Sequence, residues 1–337
     1  MANQPFYHLR PNKSIDRKLF IQTLIGLNQY LPISEYQYTG FGSYLFDDFK
    51  MLHDTLNISK MVSLEKDITE YMRAKFNVPY ACIDIKNVSS TEYLSELLIE
   101  DDSHNIFWLD FVSPSEIGTQ IGDYATLLKL LNPGDIVRIT LNANVASLGK
   151  SDNPDKLTKV RFQKLQERIP DIYFPASVTP EDFTTTRYPL VLLKILKNVT
   201  MECLNDDPPY SPNFLLPLFS SIYADGQQML TFTGIVLDSH ELEEKIKKIL
   251  KDYPHNNFLW TEPCYIEIPA LSVREIMDLN KLLPNDKAEQ QLIEEFPFIF
   301  SSKESFVLFN PLFNFSKKPI SFSFHILICI YILTYFP

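Results

Sequence analysis

Five short apolar segments, separated by stretches of helical periodicity, constrain the fold of this chain more than any other feature. Their aromatic and β-branched content favours strands, and the stretches between them place apolar residues at helical spacing. Parallel neighbours in a sheet need long crossover connections, which these stretches provide. The order therefore predicts an α/β fold, a Rossmann-like doubly wound sheet with helices on both faces. The five predicted strands span residues 36–41, 60–65, 80–85, 105–111 and 136–144.

Later in the chain the pattern changes to a hairpin. Residues 214–237 form two apolar runs on either side of Asp225-Gly226, a strong turn signal, and predict an antiparallel hairpin added to the five parallel strands. At the start of the chain we expect a helix that is capped by Ser14 and stopped by Pro32. Further helices are predicted at residues 44–57, 66–76, 90–100, 124–135, 157–168 and 188–204.

The chain divides into three predicted parts. Residues 1–237 form the sheet domain with an N-terminal helical arm, residues 238–316 a small mixed α/β subdomain, and residues 317–337 an apolar tail. Its last stretch, Ile320 to Pro337, is almost uncharged but contains two serines and a histidine, and it falls slightly short of the ~20 residues that a membrane-spanning helix needs. Two interpretations stay open: a membrane anchor, or a buried or edge strand or aberrant terminus.

Charge and cysteine usage exclude several classes of protein. The net charge of −11 and pI near 5.1 disfavour binding to duplex nucleic acid, because the chain contains no dense Lys/Arg run. The four cysteines are far apart and form no CxxC motif, so neither a zinc site nor a disulfide framework is expected. The polar N-terminus lacks a signal-peptide core, and we expect a cytoplasmic protein.

The loop after the first predicted strand contains Gly40-Phe41-Gly42, and Glu65 ends the second strand 23 residues after Gly42. In open α/β sheets ligands bind at the carboxyl ends of the strands, where a carboxylate can accept both ribose hydroxyls of a nucleoside. A dinucleotide fingerprint requires a third glycine, but Leu45 occupies that position. The pattern favours S-adenosylmethionine, which has no pyrophosphate, over NAD. A purely structural tight turn is the alternative interpretation.

A family resemblance is carried by three segments, FYHLRPNKSIDRKLF, YTGFGSYLFDDFKMLH and MVSLEKD. They resemble a bacterial family of O-methyltransferases among the class I S-adenosylmethionine-dependent methyltransferases, and the resemblance covers Pro5 to Leu237. Class I methyltransferases extend five parallel strands with a sixth strand and an antiparallel seventh, which the predicted hairpin matches. The resemblance implies an enzyme that binds S-adenosylmethionine and methylates a hydroxyl or similar nucleophile on an unknown acceptor.

The resemblance also implies roles for individual residues. Gly40 and Gly42 would form the bend at Phe41 against the methionine part of the cofactor, and Glu65 would hold the ribose. The sequence departs from the wider class at Tyr38, where an acidic residue is usual. That departure puts the contact to the cofactor's amino group in question.

Two later strand ends complete the implied site. Asp84 or Asn87, around the end of the third strand, would meet the adenine edge. Asp110 ends the fourth strand, would face the transferable methyl group, and is our candidate general base, because burial is expected to raise the pKa of its carboxyl. A turn or capping role is the alternative for Asp110.

Basic and imidazole side chains near the N-terminus are further candidates. Arg10 and Lys13 could fold over the pocket and pair with the carboxylate of the cofactor or with an acidic substrate group. A solvated arm is the alternative for both. His8 and His104 are possible bases, although a surface or hydrogen-bonded structural role is typical of such histidines.

A metal-dependent mechanism has limited support. Asn142 and Asn144, at the end of the fifth strand, could join Asp110 as oxygen ligands of Mg²⁺, in a layout that resembles catechol-type methyltransferases. Only one carboxylate is evident, and asparagines at strand ends are usually turn formers, so we predict no metal site.

Two other functions stay open on the sequence alone. One is a methyltransferase-like binding or regulatory protein without turnover, favoured by Tyr38 and by DFVSP in place of an N/D-P-P-Y/F signature after the fourth strand. The other is a NAD-dependent oxidoreductase, disfavoured by the missing third glycine and by the hairpin. No GxSxG, Walker or HExxH motif supports hydrolase chemistry.

Overall fold

The computed structural model describes residues 10–100, 103–204, 213–253 and 255–267, together with residues 272, 274–275, 277–278 and 294. The strands are β1 (Gln37–Gly40), β2 (Lys60–Leu64), β3 (Ile83–Lys86), β4 (Asn105–Asp110), β5 (Ile136–Asn142), β6 (Phe214–Asp225), β7 (Gln227–Leu237) and β8 (Cys264–Ile266). The helices are α1 (Pro11–Leu27), α2 (Asp47–Leu56), α3 (Ile68–Asn77), α4 (Ser90–Glu96), α5 (Ile117–Leu128), α6 (Leu157–Gln166), α7 (Tyr188–Leu204) and α8 (His240–Leu250).

All eight strands join one sheet in the order β3-β2-β1-β4-β5-β7-β6-β8. The first five run parallel, while β7 pairs antiparallel with both β5 and β6. The predicted α/β fold of five parallel strands followed by an antiparallel hairpin is therefore confirmed. The short strand β8 lies in the part predicted as a mixed α/β subdomain, and it adds parallel to β6 at the edge of the sheet.

Two hydrophobic cores cover opposite faces of the sheet. Along β4 the side chains alternate, so that Ile106 and Trp108 enter one core and Phe107 and Leu109 the other. The first core contains residues of α1, α2 and α8, and we call this side the α1 face. The second contains residues of α5 and α7, and we call it the α7 face.

Helix α1 begins at Pro11, three residues before the predicted capping residue Ser14, so that prediction was wrong. The cap comes from elsewhere in the chain. The carboxylate of Asp225, at the tip of the β6–β7 hairpin, accepts hydrogen bonds from the backbone N–H of Asn12 (3.2 Å) and of Lys13 (2.8 Å). A side chain from a distant hairpin thus supplies the oxygen that a local N-cap residue usually provides.

The inward side of α1 carries charges rather than only apolar residues. Asp16 binds Arg138 of β5 at 2.5 Å, and neither side chain is exposed to solvent. Arg17 pairs with Asp48 at the start of α2. The guanidinium of Arg138 also lies 4.5 Å from the ring centre of Trp108. Its flat face therefore contacts an aromatic ring, while the N–H groups at its edge donate hydrogen bonds to Asp16 and Thr233. Opposite charges therefore tie α1 to two neighbouring elements.

Other boundaries shifted for local reasons. Helix α2 starts at Asp47 rather than residue 44, because Ser43 and Phe46 adopt positive φ angles of 46° and 52° and extend the turn after β1. Helix α5 covers Ile117–Leu128 instead of residues 124–135, since its apolar face begins earlier. Helix α7 has the predicted bounds, Tyr188–Leu204.

The described part of residues 238–316 is continuous with the main sheet. Strand β8 pairs with β6, and α8 packs against α1. The boundary predicted near residue 238 stays a prediction, because most of this part and the whole predicted tail, 317–337, lie outside the described residues. In the portion of the chain that the structure describes, none of the helices has the length and apolar character needed to cross a bilayer.

Candidate active site

A cavity of about 290 Å³ lies at the carboxyl ends of the parallel strands. Three predicted residues line it together: Phe41 directly after β1, Glu65 directly after β2, and Asp110 at the end of β4. Strand β1 lies between β2 and β4, so the crossovers diverge on either side of it. This is the position where open α/β sheets bind ligands.

The two glycines shape the turn beneath the cavity but do not line it. A Cβ atom on Gly42 would lie 2.6 Å from the ring of Phe46 and 2.8 Å from Oγ of Ser63. The N–H of Gly42 also donates to that Oγ at 3.1 Å. A side chain at position 42 would therefore collide with the protein itself, and the need for glycine there arises first from packing. Phe41 reaches the cavity wall, where its ring lies 5.5 Å from that of Phe111.

Glu65 is half-buried in the cavity wall. Desolvation by burial raises the pKa of its carboxyl, although Oε1 accepts a hydrogen bond from the backbone N–H of Asp67 at 3.2 Å. The side chain of Asn87 donates to the backbone carbonyl oxygens of Glu65 (2.8 Å) and Lys66 (3.3 Å), so Asn87 holds this loop and does not line the cavity. Asp84 also lies outside the lining; its side chain is 67% exposed and 3.8 Å from Nζ of Lys86.

One wall of the cavity, residues 88–91, was missed by sequence reasoning. Ser90 and Thr91 donate their hydroxyl hydrogens to the two carboxylate oxygens of Asp123, at 2.6 and 2.7 Å. The available signal was Ser89, which caps the N-terminus of α4 and forms a reciprocal capping pair with Glu92. Capping residues are common in every fold. Only the hydrogen bonds from Ser90 and Thr91 to Asp123 of α5 identify this segment as part of a cavity wall.

The inner end of the cavity contains an ion pair. Nζ of Lys13 lies 2.7 Å from Oδ2 of Asp110, and the two side chains are only 6% and 8% exposed. Burial by itself would raise the pKa of Asp110, but the Lys13 ammonium and the nearby Arg17 outweigh it, so the pKa of this carboxyl lies below its usual value. The expected rise in pKa was therefore wrong, because a cation 97 residues away in the sequence faces the carboxylate.

Arg10 also lines the cavity, immediately before α1. Of the nine predicted site residues, the structure brings five to the same cavity and places four beneath or beside it. The five are Arg10, Lys13, Phe41, Glu65 and Asp110; the four are Gly40, Gly42, Asp84 and Asn87.

The remaining candidates lie elsewhere. Tyr38 is completely buried under the sheet end and stays neutral, because burial and the nearby Asp48 and Asp110 raise its pKa. His104 precedes β4, so it lies at the opposite end of that strand, where its ring stacks on Tyr36 at 5.1 Å. His8 lies outside the described residues.

The two asparagines considered as metal ligands act in turns. Asn142 donates to the carbonyl oxygen of Val112 (3.3 Å) and accepts from the N–H of Asn144, whose own amide binds Gln227 at 2.6 Å. Within the described ranges, no group of three or more His, Cys, Asp or Glu residues has a geometry that could hold a metal ion.

Comparison with known proteins assigns the family. Residues 5–312 match the family described as "Putative O-methyltransferase". The chain belongs to this family. The match spans nearly the whole sequence, and it confirms the resemblance seen in the three sequence segments.

Solved structures with detectable similarity are distant. The N-methyltransferase NodS from Bradyrhizobium japonicum WM9 is 8% identical with a TM-score of 0.39, over 67% of this chain and 97% of that one. The O-methyltransferase from Bacillus cereus, in complex with SAH, is 11% identical with a TM-score of 0.35, over 70% and 93%. A protein from Klebsiella pneumoniae described as a "putative O-methyltransferase" is 12% identical with a TM-score of 0.34, over 64% of this chain and 80% of that one. No curated protein matches the chain.

Proposed function

We propose that this member of the O-methyltransferase family binds S-adenosylmethionine in the cavity at the ends of β1, β2 and β4 and transfers its methyl group to an oxygen of an acceptor. One observation carries the proposal. Phe41, Glu65 and Asp110, each selected from the end of a different strand, line the same cavity at the switch point of the sheet.

The residues of the cavity fit the chemistry of this cofactor. Glu65 presents a half-buried carboxylate that can accept two ribose hydroxyls. Leu64, Val88 and Val112 add apolar surface for a base, and Arg10 adds a cation for a carboxylate group. When bound, the cofactor supplies an electrophilic methyl group on a sulfonium.

The contribution of the chain itself is mainly positioning. Methyl transfer is an in-line displacement, so the protein accelerates it by holding the two reactants in near-attack geometry and by excluding water. The ion pair between Lys66 and Glu116, at 3.1 Å, connects the loops after β2 and β4 at the cavity rim. It links two of the loops that would enclose the ligand.

Calorimetric titration of the full chain with S-adenosylhomocysteine and with NAD tests the binding site. We expect heat from the first ligand and none from the second, because nicotinamide-binding domains usually continue in parallel units where this sheet has an antiparallel hairpin. Binding of NAD alone would contradict the proposal. Binding of S-adenosylhomocysteine without any methyl transfer from labelled donor would favour a regulatory role.

Glu65→Gln should weaken binding of S-adenosylhomocysteine by about 10- to 100-fold, because hydrogen bonds to a charged group contribute about 1.5–3 kcal/mol. Asp84→Asn is the matched control, since Asp84 is exposed and outside the cavity. Equal affinities of the two variants would remove Glu65 from the site. A loss confined to Asp84→Asn would restore Asp84 to the adenine edge.

The place of action and the partners are also part of the proposal. We infer a cytoplasmic enzyme, because the four cysteines are dispersed along the chain and form no CxxC motif. The net charge of −11 disfavours duplex nucleic acid as the acceptor. Separation of labelled products by size would identify the acceptor class.

A further inference from the structure

Each carboxylate among the described residues that line the cavity has a partner through at least one oxygen. Asp110 binds Lys13 at 2.7 Å, and Glu116 binds Lys66 at 3.1 Å. Asp123 accepts the hydroxyls of Ser90 and Thr91. The last one, Glu65, lies at the end of β2, where it accepts a backbone N–H and faces the proposed ribose position.

The described lining residues include few other common proton acceptors. Among the described residues that surround the cavity there is no histidine, cysteine or tyrosine. An acceptor alcohol or phenol must lose a proton as it reacts, and enzymes normally provide a positioned base for that step. Apart from Asp110, whose carboxylate is paired with Lys13, the described lining offers none at that end.

Cations, in contrast, are well placed. Lys13 lies at the inner end of the cavity beside Asp110, and Arg10 lies one helical turn before it. The ammonium of Lys13 is only 6% exposed, and in such a desolvated setting its attraction for an anion is stronger than at the surface. The inner end is therefore suited to bind a negatively charged oxygen.

We propose that the acceptor is a carboxylic acid, that its carboxylate oxygen is the nucleophile, and that Lys13 positions it. This inference rests on the proposed function and defines its substrate class. The carboxylate oxygen forms a bond to the methyl carbon, the bond between that carbon and the sulfonium sulfur breaks, and sulfur keeps the electron pair. The products are a methyl ester and the neutral thioether. No proton is transferred, so no base is needed.

Asp110 then acts as the counter-ion of Lys13 and not as a general base. It compensates the buried charge of Lys13, since a buried cation without a partner is costly. The arriving carboxylate takes its place beside, or instead of, Asp110 as the partner of Lys13. Arg10, which also lines the cavity, is assigned to the carboxylate of the cofactor.

The chemistry of the product tests the substrate class. The full chain is incubated with S-adenosylmethionine labelled in the methyl group and a bacterial small-molecule extract that has been separated into anionic and neutral fractions. We expect label only in the anionic fraction, released as volatile methanol by mild alkali, with a rate that is flat between pH 6 and 9. Alkali-stable label would overturn the inference and leave the proposed function intact. No label in either fraction would overturn this inference; the proposed function would fall with it only if the macromolecules of the same cells also stayed unlabelled.

Two variants test the role of the ion pair. Asp110→Asn frees Lys13 from its counter-ion and should lower the amount of anionic fraction that gives half-maximal labelling by at least threefold. A loss of labelling of 100-fold or more, in a variant that still binds S-adenosylhomocysteine, would show that Asp110 is the base and would overturn the inference.

The double variant Lys13→Gln/Asp110→Asn replaces the pair by a neutral one and avoids an uncompensated buried charge. It should keep the affinity for S-adenosylhomocysteine within twofold by calorimetry while labelling falls at least tenfold. A tenfold loss of that affinity would assign Lys13 to the cofactor and overturn its assignment to the acceptor. His8→Gln is the control for a base outside the described residues. We expect the labelling rate of His8→Gln to stay flat between pH 6 and 9, and a loss of labelling in this variant would contradict the inference.

Discussion

The two faces of the sheet are stabilised in different ways. On the α7 face, the buried positions of α7 are almost all apolar, and Thr200, an exception, hydrogen bonds to Tyr124 at 2.9 Å. On the α1 face, Lys13, Asp16 and Arg17 are buried and each pairs with an opposite charge. The difference lies in specificity, because apolar contacts tolerate small shifts whereas buried charges require particular partners.

The charged face is also the face that reaches the cavity. Lys13 lies on the same helix as Asp16, one turn earlier, so the pair between Asp16 and Arg138 fixes the axial and rotational position of α1. A displacement of α1 would move the ammonium of Lys13 away from Asp110. The comparison therefore predicts that changes on the α1 face alter both stability and the site.

The largest effect is expected from Arg138→Met. It leaves the carboxylate of Asp16 buried without its guanidinium, and breaking a buried pair in this way costs about 3–5 kcal/mol. Urea unfolding of the variant measures this loss. The double variant Asp16→Leu/Arg138→Met should recover most of it, because no buried charge is then left alone. A single variant as stable as the parent chain would contradict the distinction between the two faces.

An intermediate, pH-dependent effect is expected from His255, which packs on α1. Burial lowers the pKa of its imidazole from 6.5 to about 3, with Leu19 O accepting at 3.0 Å and the positive Arg138 nearby. The unfolded chain takes up this proton below pH 6.5 and the folded chain does not, so stability falls as the pH is lowered. Between pH 7 and pH 5 the loss attributable to this group is about 2 kcal/mol.

His255→Gln removes that titration and is the variant to compare. Its free energy of unfolding should change less between pH 7 and pH 5 than that of the parent chain, by about the same 2 kcal/mol. Identical pH dependence of the two proteins would show that His255 is not held neutral in the core.

The smallest effect is expected from Asp225→Ala. The change removes the cap of α1 and should cost about 1 kcal/mol, within the usual range for a lost N-cap. We expect a larger consequence for labelling than for stability, since Lys13 donates its backbone N–H to Asp225. Ser239→Ala, which removes the local cap of α8, is the control with similar stability loss and unchanged labelling.

The same comparison explains how far the sequence could predict the fold. On the α7 face, periodicity gave the bounds of α7 because nearly every buried position there is apolar. On the α1 face, periodicity cannot assign Lys13, Asp16 and Arg17 to the interior, since each is buried only by virtue of a partner that is distant in the sequence. The start of α1 was missed for the same reason.

The candidate site divides along similar lines. Phe41, Glu65 and Asp110 could be selected because the ends of parallel strands converge in every sheet of this type. The lowered pKa of Asp110 could not be predicted, because it depends on Lys13, which comes from the N-terminal helix. The wall formed by residues 88–91 was missed because its link to Asp123 is tertiary.

The cap that Asp225 provides has a consequence for biosynthesis. Asn12 and Asp225 are separated by 213 residues, so the first helix leaves the ribosome long before the hairpin that secures it. Domains form during translation from whatever segments have already emerged, and contacts between remote segments come late. Lys13 therefore reaches its position at the inner end of the cavity among the last steps of folding. A truncated translation product that ends before the hairpin should not hold Lys13 in that position.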